Sequence, residues 1–341
     1  MEAESEFALA KFSSRSSPLT KAIGYDKSAM VFHMLRRQIG EDAFWAGLRD
    51  IFRQRLFRKT GWADLQAAFE QRAGRSLAAF FDQWVARKGA PRLRLSNIEI
   101  NRTGPTGSRV IIGSIQQDED IYVFPVTIRV HTAAGFQDHP IQIQKRQTDF
   151  KVPADDTPRW IELDPQIHLL RRLELAEIPP TVNSLKGGKR VAVVVSDTDS
   201  NIGSIAQTLA ASLGFSHVTK LSKQAATHDP LPPTDILVVG RPPLEGQLSD
   251  LVSPHLKSPR AIRLDKEEYD RRGDVFFGVF RHPDAPERVI GFFWPLDAGG
   301  AAAARKITHY GKYSYLVFRN GRNIAKGTWP IENSPIRHRW Q

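Results

Sequence analysis

Ile23-Gly24-Tyr25-Asp26-Lys27-Ser28-Ala29-Met30-Val31-Phe32-His33-Met34-Leu35 begins a helix over about residues 26–39, with Met30, Val31, Met34 and Leu35 on a broad apolar face. The same period continues downstream. From Glu41 to Leu56, the residues Phe44, Trp45, Leu48, Ile51, Phe52 and Leu56 recur at spacings of three and four. Gly40 and Glu41 mark the break between these two helices. A third helix, Trp62–Ala73, follows Thr60 as a candidate N-cap and is closed by Gly74. A fourth, Leu77–Arg87, places Leu77, Phe80, Phe81, Trp84 and Val85 on one face. Residues 1–91 therefore read as a helical segment.

At Gly89-Ala90-Pro91 the period changes from 3.6 to 2. Strands are expected at Leu93–Ile100, Val110–Ile115, Ile121–Val130, Phe136–Ile143 and Trp160–Leu163, with turns at Gly104-Pro105, Gln117–Asp120 and Thr132–Gly135. Short strands with such turns suggest an antiparallel β-sandwich over residues 92–170. Asp118-Glu119-Asp120 reads as a solvated hairpin tip rather than an acid cluster. Residues 171–188, with Ile178-Pro179-Pro180 and Gly187-Gly188, read as a linker.

Residues 189–341 alternate buried strands with helices. Val191–Val195, Asp235–Val239, Phe276–Phe280 and Val289–Phe293 read as strands, Ile202–Leu213 and Ala301–Thr308 as helices, and Tyr315–Phe318 with Ile324–Thr328 as a closing hairpin. That order predicts a small α/β domain with a partly parallel sheet. Helix starts after Asp197–Asn201 and Asp297–Gly300 could hold an anion. Both read better as ordinary N-caps. The fold class is thus multidomain α+β.

The 341 residues include no cysteine, which excludes disulfides, thiolate metal ligands and a cysteine nucleophile. No apolar run is long enough to span a bilayer, and the acidic start Met-Glu-Ala-Glu-Ser-Glu lacks the apolar core of a secretory signal. A net charge of +11 raises nucleic acid or another anionic surface as a partner. The excess is dispersed: residues 92–188 balance at 12 cations and 12 anions. The densest patch, Arg53, Arg55, Arg58 and Lys59, sits at a helix end, where cations complement the dipole. A nucleic-acid partner is not expected. There is neither a G-x-S-x-G nucleophile elbow nor a P-loop. Oligomeric state is not legible.

Gly24-Tyr25-Asp26-Lys27-Ser28-Ala29-Met30 resembles the Y-x-K-G/A segment of the aminopeptidase N family of gluzincin-type zinc metallopeptidases, with Ser28 where glycine or alanine is usual. Gly40-Glu41-Asp42-Ala43-Phe44-Trp45-Ala46-Gly47-Leu48 is similar to the family's next helix. So are Leu77-Ala78-Ala79-Phe80-Phe81-Asp82-Gln83-Trp84 with Gly89-Ala90-Pro91. Leu163-Asp164-Pro165 and Leu169-Leu170-Arg171-Arg172-Leu173 look like the end of its β-sandwich. The likeness covers about residues 10–175. The stretch Thr308-His309-Tyr310-Gly311-Lys312-Tyr313-Ser314-Tyr315 and Gly327-Thr328-Trp329-Pro330 resembles an appended domain of some bacterial members.

The resemblance implies a thermolysin-like catalytic half, a peptide substrate and a zinc cofactor in the intact family member. It also implies a role for Tyr25, whose hydroxyl would donate to the oxyanion of a tetrahedral intermediate. A phenol suits that task, being a neutral donor fixed by its ring. The alternative reading is a tyrosine packed at a helix start.

Zinc needs two histidines at i and i+4 on one helix face, with a glutamate between them as general base. The ten histidines are at 33, 131, 139, 168, 217, 228, 255, 282, 309 and 338, and no two are four apart. The 24 residues before Tyr25 cannot hold such a helix and its partners. The zinc half is therefore expected to lie outside this chain. The four helices should leave open the apolar face that such a half covers. A non-catalytic peptide- or protein-binding chain derived from the family is the competing reading.

Overall fold

The computed structural model describes residues 6–103, 108–118, 120–186, 188, 190–196, 200–222, 227, 230–258, 261–264, 266–296 and 300–340. Two compact units divide the chain, residues 1–174 with 333–341, and residues 175–332. No helix among the described residues is long and apolar enough to cross a membrane.

The first unit is helical at its start. Pro18–Lys21 forms α1 behind a Ser17/Thr20 capping box. It runs into a π-helical stretch, Ala22–Lys27, and then into α2, Ser28–Ile39. Helices α3, Glu41–Arg55, and α4, Trp62–Ala73, pack closely because Gly47 has no side chain. A Cβ there would lie 2.7 Å from the Phe69 ring, which stacks on Phe44 at 5.4 Å. The fourth expected helix is split. Ala78–Phe81 is α5, and Asp82–Ala86 is a second π-helical stretch.

Two antiparallel sheets follow. One has the order β1-β2-β5, from Leu93–Thr103, Ser108–Gln117 and Gln147–Ala154. The other has the order β17-β6-β3-β4, from Arg337–Arg339, Pro158–Leu163, Phe124–Thr132 and Phe136–Ile143. Asp118 and Asp120 therefore sit in a crossover between the sheets, not at the expected hairpin tip, because β2 pairs with β1 and β5 rather than with β3. Glu119 lies outside the described residues.

Alternation along β3 buries Phe124, Val126, Ile128 and Val130 in one core shared with Val31, Leu35, Phe69 and Trp84 of the helices. Trp84 reaches Tyr122 and Phe124 at ring separations of 5.2 and 6.2 Å, which locks helices to sheet. The last strand, β17, belongs to this unit although it follows the α/β unit in sequence. Arg337, His338 and Arg339 pair with β6.

The second unit contains a seven-stranded sheet of order β16-β15-β13-β14-β9-β7-β8. Strands β7, Arg190–Val195, β8, His217–Lys220, β9, Asp235–Val239, and β14, Val289–Pro295, run parallel to their neighbours in this set. Strands β13, Asp274–Arg281, β15, Tyr315–Arg319, and β16, Arg322–Gly327, complete it antiparallel. Successive residues of β9 point to opposite faces. Leu237 and Val239 join Ile202, Ile205 and Leu209 of helix Ser200–Leu213, whereas Ile236 and Val238 join Leu248, Val252 and Ile262.

A small sheet, β10 Leu256–Ser258, β11 Ala261–Leu264 and β12 Glu267–Tyr269, lies apart from the seven strands. The two loops considered as anion sites, at Asp197, Thr198, Asp199 and at Asp297, Ala298, Gly299, lie outside the described residues.

Candidate functional site

Tyr25 sits within the π-helical stretch, and that geometry is frequent at functional positions because it inserts a residue and re-aims the side chains around it. Its ring is 56% exposed. Among the described residues its hydroxyl has no hydrogen-bond partner. The ring is held from one side by Phe12 in an edge-on contact at 5.9 Å. Gly24 makes that contact possible, since a Cβ at residue 24 would stand 2.2 Å from Phe12 Cε2. Ser28, the one departure in the tyrosine segment, donates its hydroxyl to the Gly24 carbonyl at 2.7 Å. A small polar residue here thus ties the turn carrying Tyr25 to itself.

Lys27 is the buried charge beside this turn. Its ammonium donates to the carbonyl oxygens of Arg87 at 3.2 Å and Gly89 at 3.0 Å. Burial pulls its pKa down to about 8, with Glu6 opposing the shift and Arg172 and Arg87 adding to it. Both π-helical stretches are therefore anchored by one side chain. The Gly89-Ala90-Pro91 turn is also bound to the segments before β3 and after β6, since Tyr122 donates its hydroxyl to the Lys88 carbonyl and Arg172 its amide to the Pro91 carbonyl. A polar cleft of about 550 Å³ opens there, lined by Lys88, Arg146, Arg172, Asp118 and Asp120 among others.

His33, one helical turn and more beyond Lys27, meets His168 with its Nε2 at 2.9 Å from His168 Nδ1. His168 Nε2 lies 2.8 Å from Gln166 Oε1. The loop carrying His168 is wound around Asp164, which holds φ at 49° and accepts the amides of His168 and Leu169 at 2.7 and 3.1 Å. Burial raises the Asp164 carboxyl, and those two amides oppose the rise. Burial lowers the His168 imidazole, with Arg37 and His33 adding to the effect. Leu163-Asp164-Pro165 is therefore a backbone device that presents His168 to the tyrosine helix.

His131 and His139 lie on adjacent strands but are not paired across them. His131 faces Phe136, His139 faces Ile128, and His131 bonds instead to Glu162 at 2.9 Å. Among the described residues no group of three or more histidine, aspartate or glutamate side chains could hold a metal ion. The described residues do not fit a zinc ion.

With this geometry in view, the relatives are informative. Aminopeptidase N of Lactococcus lactis is 36% identical over 70 residues, 20% of this chain and 8% of that protein. Aminopeptidase 2 of Candida albicans is 24% identical over 136 residues, 40% of this chain and 15% of that protein. Aminopeptidase N of Streptomyces lividans is 35% identical over 72 residues, 21% of this chain and 8% of that protein.

The relationship is to the aminopeptidase N family. The family is also called M1, the name carried by two relatives from Encephalitozoon cuniculi. The chain spans less than a fifth of the length of these relatives, which fits a C-terminal part of an aminopeptidase N protein. No family profile matches the chain. Among solved structures, Legionella pneumophila aminopeptidase A aligns at a TM-score of 0.36 and 16% identity, over 46% of this chain and 19% of that one.

Sequence reasoning singled out Tyr25 but not its supports. Phe12 lies outside any motif, the burial of Lys27 against Arg87 and Gly89 is not legible locally, and the His33–His168 contact joins residues 135 apart. The one usable signal was the family segment itself, which contains Gly24 and Lys27.

Proposed function

We propose that this chain is the C-terminal portion of an aminopeptidase N-like zinc metallopeptidase that removes N-terminal residues from peptides, and that the H-E-x-x-H half is supplied outside it. In this reading the helices up to residue 91 complete a thermolysin-like catalytic domain. Residues 92–174 with the last strand, β17, form the β-sandwich, and residues 175–332 an appended α/β domain. Tyr25 donates its hydroxyl to the oxyanion that forms when water adds to the scissile carbonyl.

The observation that carries the proposal is the setting of Tyr25. A phenol exposed enough to meet a ligand is fixed by Phe12 on a π-helical turn whose base is pinned by Lys27. A donor held in place before the charge develops spends little reorganisation at the moment of reaction. The family relationship and the lack of an i, i+4 histidine pair support the division of the site between this chain and another segment.

The purified 341-residue chain is expected to hold no stoichiometric zinc and to release no amino acid from a peptide. Zinc at one equivalent together with hydrolysis overturns the divided site. The DNA upstream of Met1 gives the second arm. An in-frame H-E-x-x-H supports the proposal, and a stop codon close to Met1 favours the non-catalytic reading. In a chain carrying that half, Tyr25→Phe is expected to lower kcat by about 10²–10³ with KM little changed. An unchanged kcat removes Tyr25 from the mechanism.

A further inference from the structure

Helix α3 ends in a way that costs the fold something. Leu56 has φ −54° and ψ 128°, Phe57 has φ 59°, and the Arg58 amide donates to the Arg55 carbonyl at 2.8 Å. This is the pattern of a type II turn, in which the third position favours glycine. A phenylalanine there is strained, and its ring is 99% exposed. The chain thus holds an aromatic ring out in water on an unfavourable backbone.

The ring is not isolated. Trp45, Phe52 and Leu56 are exposed at spacings of seven and four, and so share one face of the α3 end. Trp45, Leu48, Arg49, Phe52 and Arg53 line a shallow groove of about 380 Å³ on that face.

Three nearby carboxylates are already taken. Glu41 accepts the Trp45 indole N–H at 2.7 Å and pairs with Arg36 at 3.4 Å. Asp50 turns inward to Arg72, and Asp64 binds Arg55. Among the described residues, Arg49, Arg53, Arg58 and Lys59 are in no ion pair. A helix dipole accounts for cations in the last turn. It does not account for Arg49 or for the exposed rings.

We propose that the α3 face and the Phe57 turn form a docking site for an anionic lipid bilayer, with Phe57, Phe52 and Trp45 entering the headgroup boundary and the four cations meeting anionic headgroups. Aromatic rings at headgroup depth flanked by Arg and Lys are the features of interfacial anchoring. Four exposed apolar side chains, Trp45, Phe52, Leu56 and Phe57, beside these four cations make a surface complementary to a negatively charged bilayer. The attachment is peripheral, and it requires this face to be distinct from the one that the zinc half would cover.

Co-sedimentation of the full chain tests it, with vesicles of phosphatidylcholine alone and of equimolar phosphatidylcholine and phosphatidylglycerol. Binding is expected to the mixed vesicles only, falling with salt. Phe57→Gly is the informative variant, because it should raise the Tm by relieving the turn while lowering partition about tenfold. Arg53→Gln with Arg58→Gln should lower partition about 25-fold, each surface cation contributing a factor of about five. Lys145→Gln with Lys151→Gln, in the β4–β5 turn and on β5, should leave it unchanged.

Equal loss in that control pair would assign the binding to diffuse charge and overturn the proposal. So would no recovery on mixed vesicles, partition unaffected by Phe57→Gly, capture of poly-glutamate in place of vesicles, or a concentration-dependent dimer that shields Trp45.

Discussion

Lys27 donates its ammonium to the carbonyl oxygen of Gly89 at 3.0 Å, across 62 residues of sequence. One buried cation thus fixes the turn carrying Tyr25 to the turn that ends the helical segment. Its pKa is near 8 in the fold and 10.5 for the free side chain. Between those values the unfolded chain binds the proton and the folded chain does not, so stability rises with pH across that window. Below pH 8 both states are protonated and the cost of burying the charge is present in full. Urea titrations from pH 7 to 10.5 should show wild type gaining about 3 kcal/mol relative to Lys27→Met. A pH-independent difference would place the ammonium in water.

The His33–His168 contact acts in the same direction in a lower pH window. Burial lowers the His168 pKa from its ordinary 6.5, so the fold resists protonating it. Stability is then present above that value and lost as pH falls below it, while the unfolded chain takes up the proton. Melting temperature should drop in wild type as pH falls below 6.5. The drop should be smaller in His168→Gln, which keeps a polar group beside His33. Equal slopes in the two proteins would remove this pair from the acid response.

The helices were legible because their apolar period is strong. The bounds of α3 and α4 agree with expectation to within one residue, with Phe44 and Phe69 buried on the inward faces. The two π-helical stretches were not, since an inserted residue leaves no mark in a three- and four-residue pattern. Strand β5 carries Thr148, Phe150 and Val152, an alternation diluted by Pro153 and by charged neighbours. Strand β17 is three polar residues, Arg337, His338 and Arg339, whose pairing with β6 is a tertiary fact that no local propensity encodes. At the candidate site the same division holds. Tyr25 belongs to a local motif, whereas Phe12, Gly89 and His168 reach it from elsewhere in the chain.

The seat of Tyr25 can be tested through Gly24. An alanine Cβ would overlap the Phe12 ring, so Gly24→Ala should destabilise the first unit by about 1–3 kcal/mol. Phe12→Ala removes the obstacle together with the edge-on contact to Tyr25. The double variant should therefore be more stable than the sum of the single effects predicts, a coupling readable in a double-mutant cycle by urea denaturation. Additive effects would mean that the ring and residue 24 do not meet.

Asp274 and Arg319 make the strongest single polar commitment in the α/β unit. Asp274 is completely buried at the start of β13. It accepts Arg319 Nε at 2.7 Å and Nη2 at 2.9 Å, and also the Arg271 amide at 3.0 Å. The forked geometry satisfies both carboxylate oxygens, which is the condition under which a buried ion pair does not destabilise its surroundings. Removing the acid leaves the guanidinium and an amide without partners beside the sheet. Asp274→Ala should cost about 3–5 kcal/mol. Replacing Arg319 by lysine should also destabilise the unit, because an ammonium cannot reproduce the two-pronged bond. Thermal unfolding followed by near-ultraviolet circular dichroism reads both variants, and a shift confined to Asp274→Ala would mean that charge alone, without the fork, holds this corner of the sheet.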